Sequence, residues 1–131
     1  MRFKRYIQEF AFNPETHIKG AKAGYDKSIA KALVILNKKG YKTYASHSGL
    51  QSDHKIETSP SGYISFLKAD LTQDQIDKIK VVGKKLMDKV ETYPPNMIVV
   101  RLWAKKTSDP YSEDLPFNYI KNKWIQFANN L

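Results

Sequence analysis

The segment that most constrains the fold is Lys38-Lys39-Gly40-Tyr41-Lys42-Thr43-Tyr44-Ala45-Ser46-His47-Ser48-Gly49. Its two lysines suit the carbonyl end of a helix, where cations are favoured. Gly40 can take the left-handed conformation that closes a helix. Tyr41 to Ser46 then reads as a strand, and Ser46 to Gly49 as a small-residue loop at its end. A helix delivered by a tight stop into a strand calls for helices packed on a sheet.

The flanking sequence extends this pattern. Residues 3–12 alternate loosely and read as a strand ended by Asn13-Pro14, with a loop over 13–24. Residues 25–39 form the helix, with Ile29, Leu33 and Leu36 on one stripe. Asp26 near its start complements the positive end of the helix dipole. A short extended piece at Lys55–Thr58 precedes the turn Ser59-Pro60-Ser61-Gly62 and the strand Tyr63–Leu67. Thr72-Gln73-Asp74-Gln75 is a capping box. The helix after it runs to about Val90, since Ile76, Ile79, Val82, Leu86 and Val90 recur at spacings of three and four. Gly83 inside it costs about 1 kcal/mol against alanine unless close packing requires it. Pro94-Pro95 blocks continuation. Met97–Ala104 is a strand whose core face is Ile98, Val100, Leu102 and Ala104. Past the loop at Asp109-Pro110, Pro116 opens a last helix carrying Phe117, Ile120, Trp124, Phe127 and Leu131 on one face.

The order β-α-β-β-α-β-α predicts one α+β domain over 1–131. It is a ferredoxin-like βαββαβ sandwich with an additional C-terminal helix; the alternative is a sandwich of different strand order. The apolar face of the last helix must be buried. The second sheet face is the favoured place, with a sheet edge or a homodimer contact as the others.

Composition narrows the chemistry. The 131 residues contain no cysteine, which excludes disulfides, thiolate metal sites and cysteine nucleophiles. No apolar run follows Arg2, Lys4 and Arg5, and none is long enough for a membrane span, so a cytoplasmic protein without signal peptide is expected. The formal charge is +9, and residues 1–42 hold ten Lys/Arg against three acids, which is +7 of it. Concentrated positive charge attracts polyanions.

Three candidate sites follow. The first is an anion site at Ser46, His47, Ser48 and Gly49, with Lys38, Lys39 and Lys42 supplying charge, for RNA or a nucleotide. Gly49 permits close backbone approach and the hydroxyls donate. Within that loop His47 is also the candidate catalytic group of an enzyme, because imidazole titrates near neutrality. No acid is placed beside it by sequence. The second candidate is a metal site from His17, His47 and His54 with Asp53. Their spacing fits no standard ligand pattern, so no metal site is expected. The third is a base-stacking platform of Tyr6, Tyr44 and Trp103 with Lys42 and Arg101. No cofactor is specified by the residues.

Tyr25–Leu50, with its Leu36-Asn37-Lys38-Lys39-Gly40-Tyr41-Lys42-Thr43 core, and the later Tyr63-Ile64-Ser65-Phe66 resemble a family of small, uncharacterised bacterial and phage proteins. These read helix, Gly-Tyr-x-Thr strand, Ser-Cys-Ser-Gly-His-type loop, then a Tyr-Ile-x-Phe strand. More distantly, the strand and Ser/Gly loop are similar to the tRNA wybutosine-synthesis methyltransferase-like family, which implies S-adenosylmethionine and tRNA. Here His47 stands in place of the cysteine, and Leu50 in place of the final His or Arg.

Overall fold

The computed structural model describes residues 26–54, 59–107, 109 and 111–131. The expected strand at 3–12, the loop at 13–24 with His17, the stacking candidate Tyr6, the piece at Lys55–Thr58 and Pro110 lie outside them.

Helix α1 spans Lys27–Lys38, and its end is a Schellman motif built by Gly40. With φ at +90°, Gly40 donates to Asn37 O at 3.1 Å, and Tyr41 N–H reaches back to Leu36 O at 2.9 Å. Strand β1 is only Ala45–His47, so Ser46 and His47 belong to the sheet rather than to a loop. A 3₁₀ turn, Gln51–Asp53, follows. Strand β2 is Ser61–Leu67, and a second 3₁₀ turn covers Lys68–Asp70. Helix α2, Gln73–Leu86, starts at the capping box: Thr72 Oγ1 accepts from Gln75 N–H, and Gln75 Oε1 accepts from Thr72 N–H.

Helix α2 ends at Leu86, earlier than the spacing predicts. Lys89–Tyr93 is strand β3, which turns through Pro94–Asn96 into β4, Met97–Trp103. The helical repeat ran on to Val90 because that side chain faces the same core from the hairpin. Gly83 explains the fit. A Cβ there would meet Val90 Cγ2 at 2.5 Å and the Val100 methyls at 3.7 Å. The glycine lets α2 lie against β3 and β4.

Among the described residues four strands form an antiparallel sheet of order β1-β2-β4-β3. A split βαβ order would set another strand between β2 and β4, but these two pair directly along their whole length, Ser61 opposite Trp103 to Leu67 opposite Met97. The reason is β3. This added strand reverses the chain between α2 and β4, so β4 runs antiparallel to β2 and can bond to it. The domain is α+β, with β2 and β4 as the two central strands of its sheet.

Helix α3 is Phe117–Asn129. It does not lie on the second sheet face. It packs against α1 and touches α2, within the same helical layer. Ile120, Trp124 and Phe127 are fully buried with Ile29, Leu33 and Leu36 of α1 and with Ile64, Phe66, Ile98 and Val100 of the sheet. Each such apolar side chain contributes roughly 1.5–3 kcal/mol by leaving water. The apolar face for which a homodimer contact was one alternative is thus used inside one chain, and Phe117 at its start is exposed. Lysines from the neighbouring helices hold the far end. Lys39 Nζ donates to Ala128 O and Asn129 O at 3.1 and 3.0 Å, and Lys78 Nζ to Leu131 O at 2.9 Å. Among the described residues no helix is long and apolar enough to cross a membrane.

Gly83→Ala tests the α2 packing. Helix propensity alone favours alanine by about 1 kcal/mol. Overpacking against Val90 reverses the sign, and urea unfolding is expected to show a loss of about 1–3 kcal/mol.

Candidate functional site

The helix α1 amino terminus, the end of β1 and the 51–54 turn meet at one corner of the fold. An aspartate at an N-cap ordinarily accepts from the second or third helical N–H. Asp26 occupies that position, and its backbone carbonyl accepts from Ile29 and Ala30, both at 3.1 Å, but its side chain makes no capping bond. Asp53 does this instead. Its Oδ2 accepts from Ser28 Oγ at 2.6 Å and from Ser28 N–H at 3.4 Å, so the anion at the helix terminus comes from 25 residues away.

The Asp26 carboxylate turns the other way. Its Oδ2 accepts from Ser48 N–H at 2.6 Å and lies 3.2 Å from His54 Nε2 and 3.7 Å from His47 Nδ1. The two imidazoles are 4.6 Å apart, centre to centre. His54 Nε2 is buried and, although near Asp26, is not aligned for a hydrogen bond. Burial pushes the His47 imidazole below its usual titration range. Asp26 opposes that push, His54 adds to it, and a hydrogen bond to the Ser59 backbone carbonyl and the Asp53 charge oppose it further; burial prevails.

The Ser48-Gly49 step is a backbone crossing. Gly49 has φ at +74°, and a Cβ there would meet Gly62 N at 2.7 Å and Pro60 O at 2.8 Å. Ser48 is fully buried, and its Oγ accepts from Leu50 N–H at 3.1 Å. Within the expected anion loop, the Ser48 N–H is thus engaged by the protein's own carboxylate and the Ser48 hydroxyl oxygen by the Leu50 amide. The lysines expected beside it are elsewhere. Lys38 and Lys39 are at the opposite end of α1, about 18 Å along a twelve-residue helix. Lys39 holds α3, and Lys42 is exposed beyond the helix stop.

The stacking candidates also separate. Tyr44 is exposed just before β1, whereas Trp103 ends β4 on the far side of β2. Arg101 lies over the Tyr63 ring at 5.6 Å and is bonded to Glu91 through Nε, to Ser61 Oγ at 3.0 Å and to Tyr93 Oη at 3.3 Å. The Arg101 hydrogen bond holds the Glu91 carboxyl down to about 2.

Trp103 instead lines a cleft of about 370 Å³ between the end of β4, the end of α2 and the first turns of α3. Lys105, Lys106, Lys123 and Tyr119 share it, with Asp88. Tyr119 and Lys123 are four apart on α3 and so lie on one helix face. Asp88 is occupied in part by the Trp103 N–H, at 2.7 Å. The ammonium of Lys105 is nearly buried, donating to Ser112 O at 2.7 Å and facing Asp114 Oδ1 at 3.4 Å. Sequence reading missed this group because its cations come from a loop and a helix, with no shared motif.

Comparison with protein-family models, curated proteins and solved structures finds no match.

Two variants check the geometry. Asp53→Ala should cost about 1–3 kcal/mol in urea unfolding, since it removes a helix cap and orphans a buried hydroxyl. Glu91 titrates below its ordinary 4.5, so its contribution is full above that pH and is lost as pH falls toward about 2. Glu91→Gln should therefore flatten the acid limb of a stability-against-pH curve between those values.

Proposed function

We propose that this chain is a small α+β domain that binds an anionic ligand with an aromatic moiety, a nucleotide or single-stranded RNA. The observation that carries the reading is the cleft beside Trp103. Its volume lies within the range of small-molecule pockets, about 300–1,000 Å³. Trp103 and Tyr119 offer rings on which a base can stack, and stacking on an aromatic side chain is worth about 1–3 kcal/mol per base. Lys106 and Lys123 offer ammonium groups to phosphate, as point charges rather than forks. The formal charge of +9 adds a long-range pull on a polyanion. In this reading Trp103 keeps the stacking role expected from sequence, and the lysines that matter are Lys106 and Lys123 rather than Lys38, Lys39 and Lys42.

Titration of the protein with ATP and with an unstructured RNA decamer, followed by tryptophan fluorescence, tests the proposal. Trp124 is buried in the core, so a ligand-dependent change reports Trp103. RNA affinity should fall about sevenfold between about 50 and 200 mM salt if two phosphates are neutralised on a single strand. The Lys106→Glu/Lys123→Glu variant should lose binding, and Lys38→Glu/Lys42→Glu should largely keep it. Binding of RNA alone would assign the cleft to one segment of a strand, and binding of ATP alone to a free nucleotide. Undiminished binding by the cleft variant, or no binding of either probe, overturns the reading.

A further inference from the structure

We propose that Asp26, His47 and His54 form a binding site for a divalent transition-metal ion of the zinc class. The argument starts from what the three side chains would do without one. Asp26 is the N-cap residue of α1 and leaves that role to Asp53. Its carboxylate is instead aimed, across the chain crossing at Ser48-Gly49, at two imidazoles. One ligand atom from each of the three residues lies within 4.8 Å of the others.

The distances suit an ion. Zinc bonds to imidazole nitrogen and carboxylate oxygen are about 2.1 Å, so two ligands on a tetrahedral ion are about 3.4 Å apart. Asp26 Oδ2 is 3.2 Å from His54 Nε2 and 3.7 Å from His47 Nδ1. The pair with His54 is within reach of a hydrogen bond but not oriented as one, and that buried nitrogen has no other hydrogen-bond partner among the described residues. A cation between the groups accounts for both facts, since it would take one ligand atom from each of the three residues and those atoms already lie within 4.8 Å of one another.

The surroundings fit as well. Ligands of a bound metal are held in orientation by second hydrogen bonds. Asp26 has the Ser48 N–H at 2.6 Å, and His47 donates to the Ser59 carbonyl. His54 is set by the 3₁₀ turn, where its N–H donates to Gln51 O at 3.0 Å, and the preceding Asp53 is fixed on α1. Two imidazoles with one carboxylate match zinc, cobalt and nickel better than the oxygen-only sites of calcium or magnesium. Three protein ligands leave the fourth tetrahedral position for water or an anion, the arrangement of reactive rather than purely structural zinc.

The test is isothermal titration of ZnCl₂ and CoCl₂ into protein made without a histidine tag, in chelator-treated buffer with no nucleotide present. One ion per chain is expected, and the cobalt form should show the visible bands of a low-symmetry four- or five-coordinate ion. His54→Ala and His47→Ala should each weaken binding by at least tenfold, and Asp26→Asn should weaken it and alter the cobalt spectrum. Circular dichroism decides whether each variant is folded; if one is not, the wild-type stoichiometry and cobalt spectrum still decide. Lys106→Glu/Lys123→Glu should bind metal like the wild type, which separates this proposal from the nucleotide reading. Failure of the folded wild type to bind either ion, binding that survives all three ligand changes, or an octahedral all-oxygen cobalt spectrum overturns it. Such an outcome would leave Asp26 and the histidines as an internal polar contact.

Discussion

The corner of the fold depends on one hydrogen-bonded pair, Asp53 with Ser28. A helix amino terminus carries unsatisfied N–H groups and a partial positive charge, and some acceptor must answer them. Here the acceptor is brought from the turn after β1, and it also satisfies a serine hydroxyl buried at the helix start. This fixes α1 against the segment that leaves the sheet. It also releases Asp26 from capping, so its carboxylate can face His47 and His54 while its own backbone carbonyl serves the helix. Without that exchange Asp26 would be an ordinary N-cap and the two imidazoles would face no carboxylate.

What the sequence made legible was local. The Gly40 stop, the Thr72–Gln75 capping box, the core face of β4 and the apolar face of α3 each depend on residues within a few positions of one another, and each has a physical signature at that range. Strand β3 was illegible for a specific reason. Val90 falls on the helical repeat of α2 and reaches the same core from a strand, so periodicity could not tell the two apart. Gly83 held the clue, because a glycine in a helix interior signals a close neighbour, but it does not say which one. Placement of α3 was equally beyond pattern reading: an apolar stripe says that it is covered, and only the packing says that α1 and α2 cover it.

The candidate site divides the same way. His47 and the tight Gly49 step stand out in the sequence because residue type and conformational need are local properties. The carboxylate beside His47 does not, since Asp26 precedes α1 and His47 follows it in chain order, and Asp26 reads naturally as a helix-dipole residue. The charge count was still less informative about position. Lys38 and Lys39 are adjacent to the loop in sequence order but are separated from it by the length of the helix, while Lys105, Lys106 and Lys123 converge from separate segments. Spatial convergence of charge follows topology, which here turns on the added hairpin.

The clamp on α3 has an electrical consequence. Lys39 places an ammonium on its terminal carbonyls, where a helix is negative, and Lys78 adds another on Leu131 O just beyond it. Its first turn carries no acidic residue to offset the opposite pole. The helix is thus neutralised at one end and bare at the other, so that its backbone acts less like a dipole than like a weak positive source. That end of the helix carries Tyr119, so the partial positive charge of its first peptide groups falls at the rim of the cleft beside Trp103.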